Sequence, residues 1–88
     1  MKKLRKNMEA NSYKYRGYYC INSNTRNIDP LLSNNLKKLC SDLYHICKGY
    51  NAANFYWYIV DNDHNHVAAA HQICNSYQRL TKQELLIL

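Results

Sequence analysis

Leu32, Leu36, Leu39, Leu43, Ile46 and Cys47 recur at steps of three and four, and this stripe constrains the chain more than any other feature. Such spacing puts apolar side chains along one face of a helix of about five turns. Asp29-Pro30 precedes the stripe, supplying a capping carboxylate and the residue best tolerated at the first helical position. Lys48-Gly49 follows it, a cation for the carbonyl end and a residue free to turn left-handed. The sequence therefore predicts a helix opening at Asp29-Pro30 and closing at Lys48-Gly49, with an oily face that needs a partner surface.

The next stretch admits two readings. Phe55 to Val60 (FYWYIV) is β-branched and aromatic, which favours a strand. With DNDHN as a turn and HVAAAHQI beyond it, it makes a β-hairpin. Against this, Val67-Ala68-Ala69-Ala70 suits a helix, since alanine is the best helix former and is depleted in strands. Asn51 can cap a helix from Ala52, and Asn62, Asp63 or Asn65 can cap the next. Val67, Ala70, Cys74 and Tyr77 then share one helical face. The helical reading is adopted. Thr81-Lys82-Gln83-Glu84 matches a capping box and opens a short last helix ending in Leu85-Leu86-Ile87-Leu88. The expected fold is all-α: a small helical domain over residues 29–88, preceded by a basic arm over residues 1–28.

The arm concentrates the charge. Residues 1–28 carry seven basic side chains against Glu9 alone, a net of +6, whereas residues 29–88 carry five of each sign. Ser12 to Ile21 is aromatic-rich and reads as a short strand or as extended chain laying tyrosines on the helices. Asn22 to Asn27 reads as a loop, and loose order is expected up to about Tyr13. Lys2, Lys3, Arg5, Lys6, Lys14 and Arg16 are candidate nucleic-acid contacts, with interleaved tyrosines available to stack on bases. A solvated, solubilising tail is the plainer reading of the same charges. MKKLRK resembles the start of a secretory signal, but no apolar stretch follows, so a cytoplasmic protein with reduced cysteines is expected. No run approaches the roughly 18 apolar residues of a membrane span. At 88 residues the chain builds one small core, and pairing with a second copy as a homodimer is an available source of stability.

Chemistry-bearing residues are scattered. His64, His66, His71 and Cys74 invite a zinc site with Cys40 or Cys47, but no Cys-x-x-Cys occurs and the latter two fall on or beside the apolar stripe. Core packing is the reading taken, with no metal and no cofactor expected. Nothing aligns a nucleophile, a base and an orienting group, and two glycines cannot build a phosphate loop. The chain is read as non-enzymatic.

Gly49-Tyr50-x-x-Ala53-x-x-x-Trp57 resembles the turn and clasp of a tetratricopeptide-like helical hairpin. Together with Asn65, Ala68 to Ala70 and Cys74, covering roughly residues 36–77, it is similar to the AraC negative regulators, small proteins of enteric pathogens. The resemblance implies a transcription repressor of virulence that binds an AraC-type activator by protein–protein contact. Leu80, Leu85, Leu86 and Leu88, left over from a small core, and the tyrosines Tyr56 and Tyr58 are the candidate partner-binding residues. The other readings are a nucleic-acid binder using the arm and a phage or mobile-element inhibitor of a host protein.

Overall fold

Strand alternation, not helical spacing, governs the aromatic half of the chain. The computed structural model describes residues 12–88. They form strands β1 (Tyr15–Ile21), β2 (Thr25–Arg26) and β3 (Leu31–Ser33), helix α1 (Leu36–Gly49), strands β4 (Phe55–Val60), β5 (His66–Ile73) and β6 (Ser76–Arg79), and helix α2 (Lys82–Leu86). The strands make one antiparallel six-stranded sheet in the order β2-β1-β4-β5-β6, with β3 also pairing β1. This overturns the all-α expectation and the helical hairpin within it. Ala53 lies in a loop and Trp57 in the middle of β4, so no second helix meets α1 at an alanine.

Tertiary pairing overrides alanine's helix preference in β5. Ala68, Ala69 and Ala70 sit directly opposite Ile59, Tyr58 and Trp57 of β4. Small residues are what fits beside such bulky cross-strand neighbours in a close-packed interior. Val67, Ala70, Cys74 and Tyr77 therefore share no helical face: they span two strands and the turn between them. Cys74 and Asn75 both take positive φ (49° and 68°), the backbone of a two-residue primed hairpin turn. At the β4–β5 turn, Asp61 Oδ1 accepts from the backbone N–H groups of Asp63 and Asn65, so DNDHN is a hairpin loop and caps no helix.

The predicted first helix exists but starts later. Leu31 to Ser33 is drawn into the sheet beside β1, and Asn35 takes over as cap, its side chain accepting from Lys38 N at 3.0 Å. Leu32, placed on the helical stripe by its spacing, pairs with Arg16 in the sheet instead. At the other end no glycine turns left-handed; the positive φ falls on Asn51 (54°), whose N–H donates to the Lys48 carbonyl at 3.0 Å, so Asn51 closes α1 and opens no helix from Ala52. Lys48 does serve the helix end, and more. Its Nζ donates to Gln72 Oε1 at 2.6 Å and lies 5.5–5.9 Å from the ring centres of Tyr44, Phe55 and Tyr77.

Leu39, Leu43 and Cys47 of α1 are buried against Ile21, Phe55, Trp57, Ile59, Ala68 and Ala70 of the sheet. Gly17 permits the closest approach: a Cβ there would lie 2.8 Å from Leu43 Cδ1. The 1–28 arm is also redrawn. β1 is a central strand, paired along its length with β4, and β2 lies within the expected loop, so residues 15–26 belong to the sheet. The expected loose order up to Tyr13 falls mostly outside the described residues. Among those residues, no helix is long and apolar enough to cross a membrane.

Candidate nucleic-acid interface

α1 covers one face of the sheet. By strand alternation, the opposite face carries Arg16, Tyr18 and Cys20 from β1, Tyr56 and Tyr58 from β4, and Ala69 and His71 from β5. Cross-strand register puts Tyr18 beside Tyr58, and their rings stack at 5.2 Å with a 21° interplanar angle. Tyr56 continues the array at 6.3 Å and 18° from Tyr58, and the His66 ring lies 5.4 Å away on the β5 side. Tyr56 is 44 % exposed, whereas Cys20 beneath it is buried. Burial, followed by interaction with Cys20, raises the Tyr56 hydroxyl above the usual tyrosine range, so it stays a neutral donor.

The charges around this array are positive. Arg16 lies on the face itself, with Nη2 donating to Asn62 Oδ1 at 3.0 Å, and Arg26 pairs beside Cys20 at the sheet's margin. No carboxylate stands among the strand residues of this face. Glu84 of α2 approaches His71 from the side, but it is engaged in its own cap: Thr81 N donates to Glu84 Oε1 at 2.8 Å and Thr81 Oγ1 accepts from Glu84 N. The capping box predicted at Thr81 is thus present.

α2 packs against β5, and Leu80 and Leu88 on either side of it border a groove of about 460 Å³. Ala69 floors it, Tyr56, Tyr58 and His66 line one part, and Leu80 and Leu88 line another. Four of the predicted partner-binding residues, Tyr56, Tyr58, Leu80 and Leu88, are brought together here. Leu85 is half-buried and outside the groove, and Leu86 stands 84 % exposed beyond it. Of the predicted nucleic-acid contacts, Arg16 joins the tyrosine face, while Lys14 is exposed just before β1, its N–H donating to Asn34 Oδ1. Lys2, Lys3, Arg5 and Lys6 lie outside the described residues. Tyr18, Ala69 and the stacking role of His66 were missed; a step-of-two reading of YRGYYC, FYWYIV and VAAAH aligns Tyr18, Tyr58 and Ala69, whereas His66 reaches this face only through the register shift beside Ile59 and Val60, which no alternation pattern signals.

The metal candidates separate. Cys47 is buried under α1, Cys74 is exposed on the β5–β6 turn, and His66 and His71 lie on the face opposite α1. Among the described residues no three metal-ligating side chains converge. Burial pushes the Cys47 thiol up to about 12, as suits a packing residue. No family model, no curated protein and no solved structure matches the chain.

Proposed function

We propose that this chain is a non-enzymatic cytosolic protein that binds single-stranded nucleic acid across the uncovered face of its sheet. The observation that carries the reading is the Tyr18–Tyr58 stack, extended by Tyr56 and His66 and bordered by Arg16 and Arg26. Parallel rings on a rigid sheet offer unstacked bases a π-surface that does not depend on sequence, and nearby guanidinium groups track the phosphates. The net +6 of residues 1–28 supplies the long-range attraction. A duplex hides its base faces, so single strands are the better ligand.

The test is an anisotropy titration of a labelled single-stranded oligonucleotide at two salt concentrations, with a duplex of the same sequence alongside. Affinity should fall steeply with salt and favour the single strand. Replacing Tyr18 and Tyr58 together by alanine should weaken it at least tenfold, since base–aromatic stacking contributes about 1–3 kcal/mol per base. Undiminished affinity in that variant, with its circular dichroism unchanged, overturns the reading.

A second reading rests on the groove and on the exposure of Leu86 and Ile87, both 84 % exposed. These favour contact with a protein partner or with a second copy of the chain. Replacing Leu85 and Leu86 by Asp should then abolish association seen by analytical ultercentrifugation, and unchanged association removes this reading.

A further inference from the structure

On the helix-covered side, at the β6 edge, a groove of about 350 Å³ separates α1 from β6. Its α1 wall follows helical spacing: Lys37, Ser41, Tyr44 and His45 recur on one side of the helix at steps of three and four. Tyr77 and Arg79 of β6 form the facing wall. Among the described residues no carboxylate lines this groove; Asp42, next to Ser41 on α1, is held by Lys38 at 2.8 Å.

Arg79 is positioned in advance. Its Cζ lies 5.1 Å from the centre of the buried Trp57 ring, and Nη2 meets Cys40 Sγ at 3.9 Å. A guanidinium has five N–H donors, and that thiol is a weak acceptor for one of them. Lys37 stands exposed on the first turn of α1. The hydroxyls of Ser41, Tyr44 and Tyr77 add uncharged donors, and Tyr44 and Tyr77 meet edge to face at 5.0 Å. Behind those two rings Lys48 contributes further positive potential. A surface rich in donors, cationic and without carboxylates is complementary to a compact multivalent anion with several acceptor oxygens.

We propose that the groove between α1 and β6 is a phosphate-binding site, with Arg79 and Lys37 as its charged contacts and Ser41 as a hydroxyl donor. It is separate from the tyrosine face and does not depend on that face binding nucleic acid.

Inorganic phosphate titrated into the full chain, followed by ¹H–¹⁵N NMR and matched in ionic strength with chloride, tests the site. Phosphate should produce saturable shifts confined to Lys37, Ser41, His45 and Arg79, and chloride should not. A nucleoside monophosphate run in parallel tells free phosphate from phosphate ester: tighter binding of the ester assigns the site to esterified ligands, and equal binding assigns it to the free ion. Arg79→Gln should weaken the phosphate effect at least tenfold. Because Arg79 also packs on Trp57, Lys37→Gln, an exposed change on the helix, serves as the second variant and should weaken it severalfold. Tyr58→Ala should leave it unchanged. Shifts equal to those with chloride, or saturable binding insensitive to both Lys37→Gln and Arg79→Gln, would overturn the proposal.

Discussion

Replacing Lys48 by methionine tests how α1 is fastened to the β5–β6 end of the sheet. The Nζ donates to Gln72 Oε1 at 2.6 Å, and Gln72, only 4 % exposed, passes the connection on by donating from Nε2 to the Ala52 carbonyl at 3.0 Å. Three rings surround the same ammonium, those of Tyr44, Phe55 and Tyr77. A hydrogen bond to a charged group contributes about 1.5–3 kcal/mol net. Each ring face adds roughly 0.5–1 kcal/mol at a solvent-accessible site. Lys48 is itself exposed, which argues for the low end of both ranges. Methionine keeps the apolar stem against the rings and regains part of the loss through sulfur–aromatic contact, on the order of 0.3–1.5 kcal/mol.

The expected net destabilisation is about 2 kcal/mol, equivalent to a fall in Tm of roughly 8–16 °C for a domain of this size. Urea unfolding followed by the fluorescence of Trp57, the sole tryptophan, measures it. A cycle with Gln72→Leu isolates the pair, and the coupling should reach about 1 kcal/mol. A Lys48→Met change within about 0.5 kcal/mol of the parent, the range of an ordinary surface substitution, would show that Lys48 does not fasten α1 to the sheet.

Gly17→Val should destabilise by about 1–3 kcal/mol in the same urea assay, because even a Cβ meets Leu43 at 2.8 Å and the buried leucine has little room to yield; a neutral result would show that α1 can lift off β1. Converting Cys74-Asn75 to Asn-Gly should stabilise by roughly 1 kcal/mol, since both residues hold positive φ and this pair suits a primed turn; a lower Tm would contradict that turn assignment. The Glu84 carboxyl is held below its ordinary value of 4.5 by the Thr81 backbone N–H and then its hydroxyl. A depressed folded-state value means the cap's contribution is present above pH 4.5 and is lost as pH falls through the lower, folded midpoint. Carboxyl NMR of Thr81→Ala, which removes the hydroxyl and keeps the backbone N–H, should show the Glu84 midpoint moving part of the way up toward 4.5; an unmoved midpoint would show that the hydroxyl takes no part in the shift.

Two elements were legible because their signals are local. The apolar stripe from Leu36 to Cys47 is helical, and Thr81 with Glu84 caps the last helix as their spacing demands. Misreadings arose where a distant segment decides. Ala68 to Ala70 prefer a helix in isolation, and only the bulk of Trp57, Tyr58 and Ile59 across the ladder makes alanine the right strand residue. Leu32 fits the helical stripe by spacing, yet β1 offers the segment around it a strand partner, and Asn35 supplies a later cap. For the site, Tyr56 and Tyr58 could be named from their exposure-prone chemistry. Alternation in YRGYYC puts Tyr18 on one strand face, but its place beside Tyr58 depends on β1 being central to the sheet and not part of an arm.

The most direct test of the account is whether bases sit on the Tyr18–Tyr58 stack. Isotope-filtered NOE spectra of the full chain with a short single-stranded oligonucleotide answer it. The account predicts contacts from base protons to the rings of Tyr18, Tyr56 and Tyr58, with the α1 side chains of the opposite layer silent. Contacts confined to residues 1–14, or to α1, would contradict it.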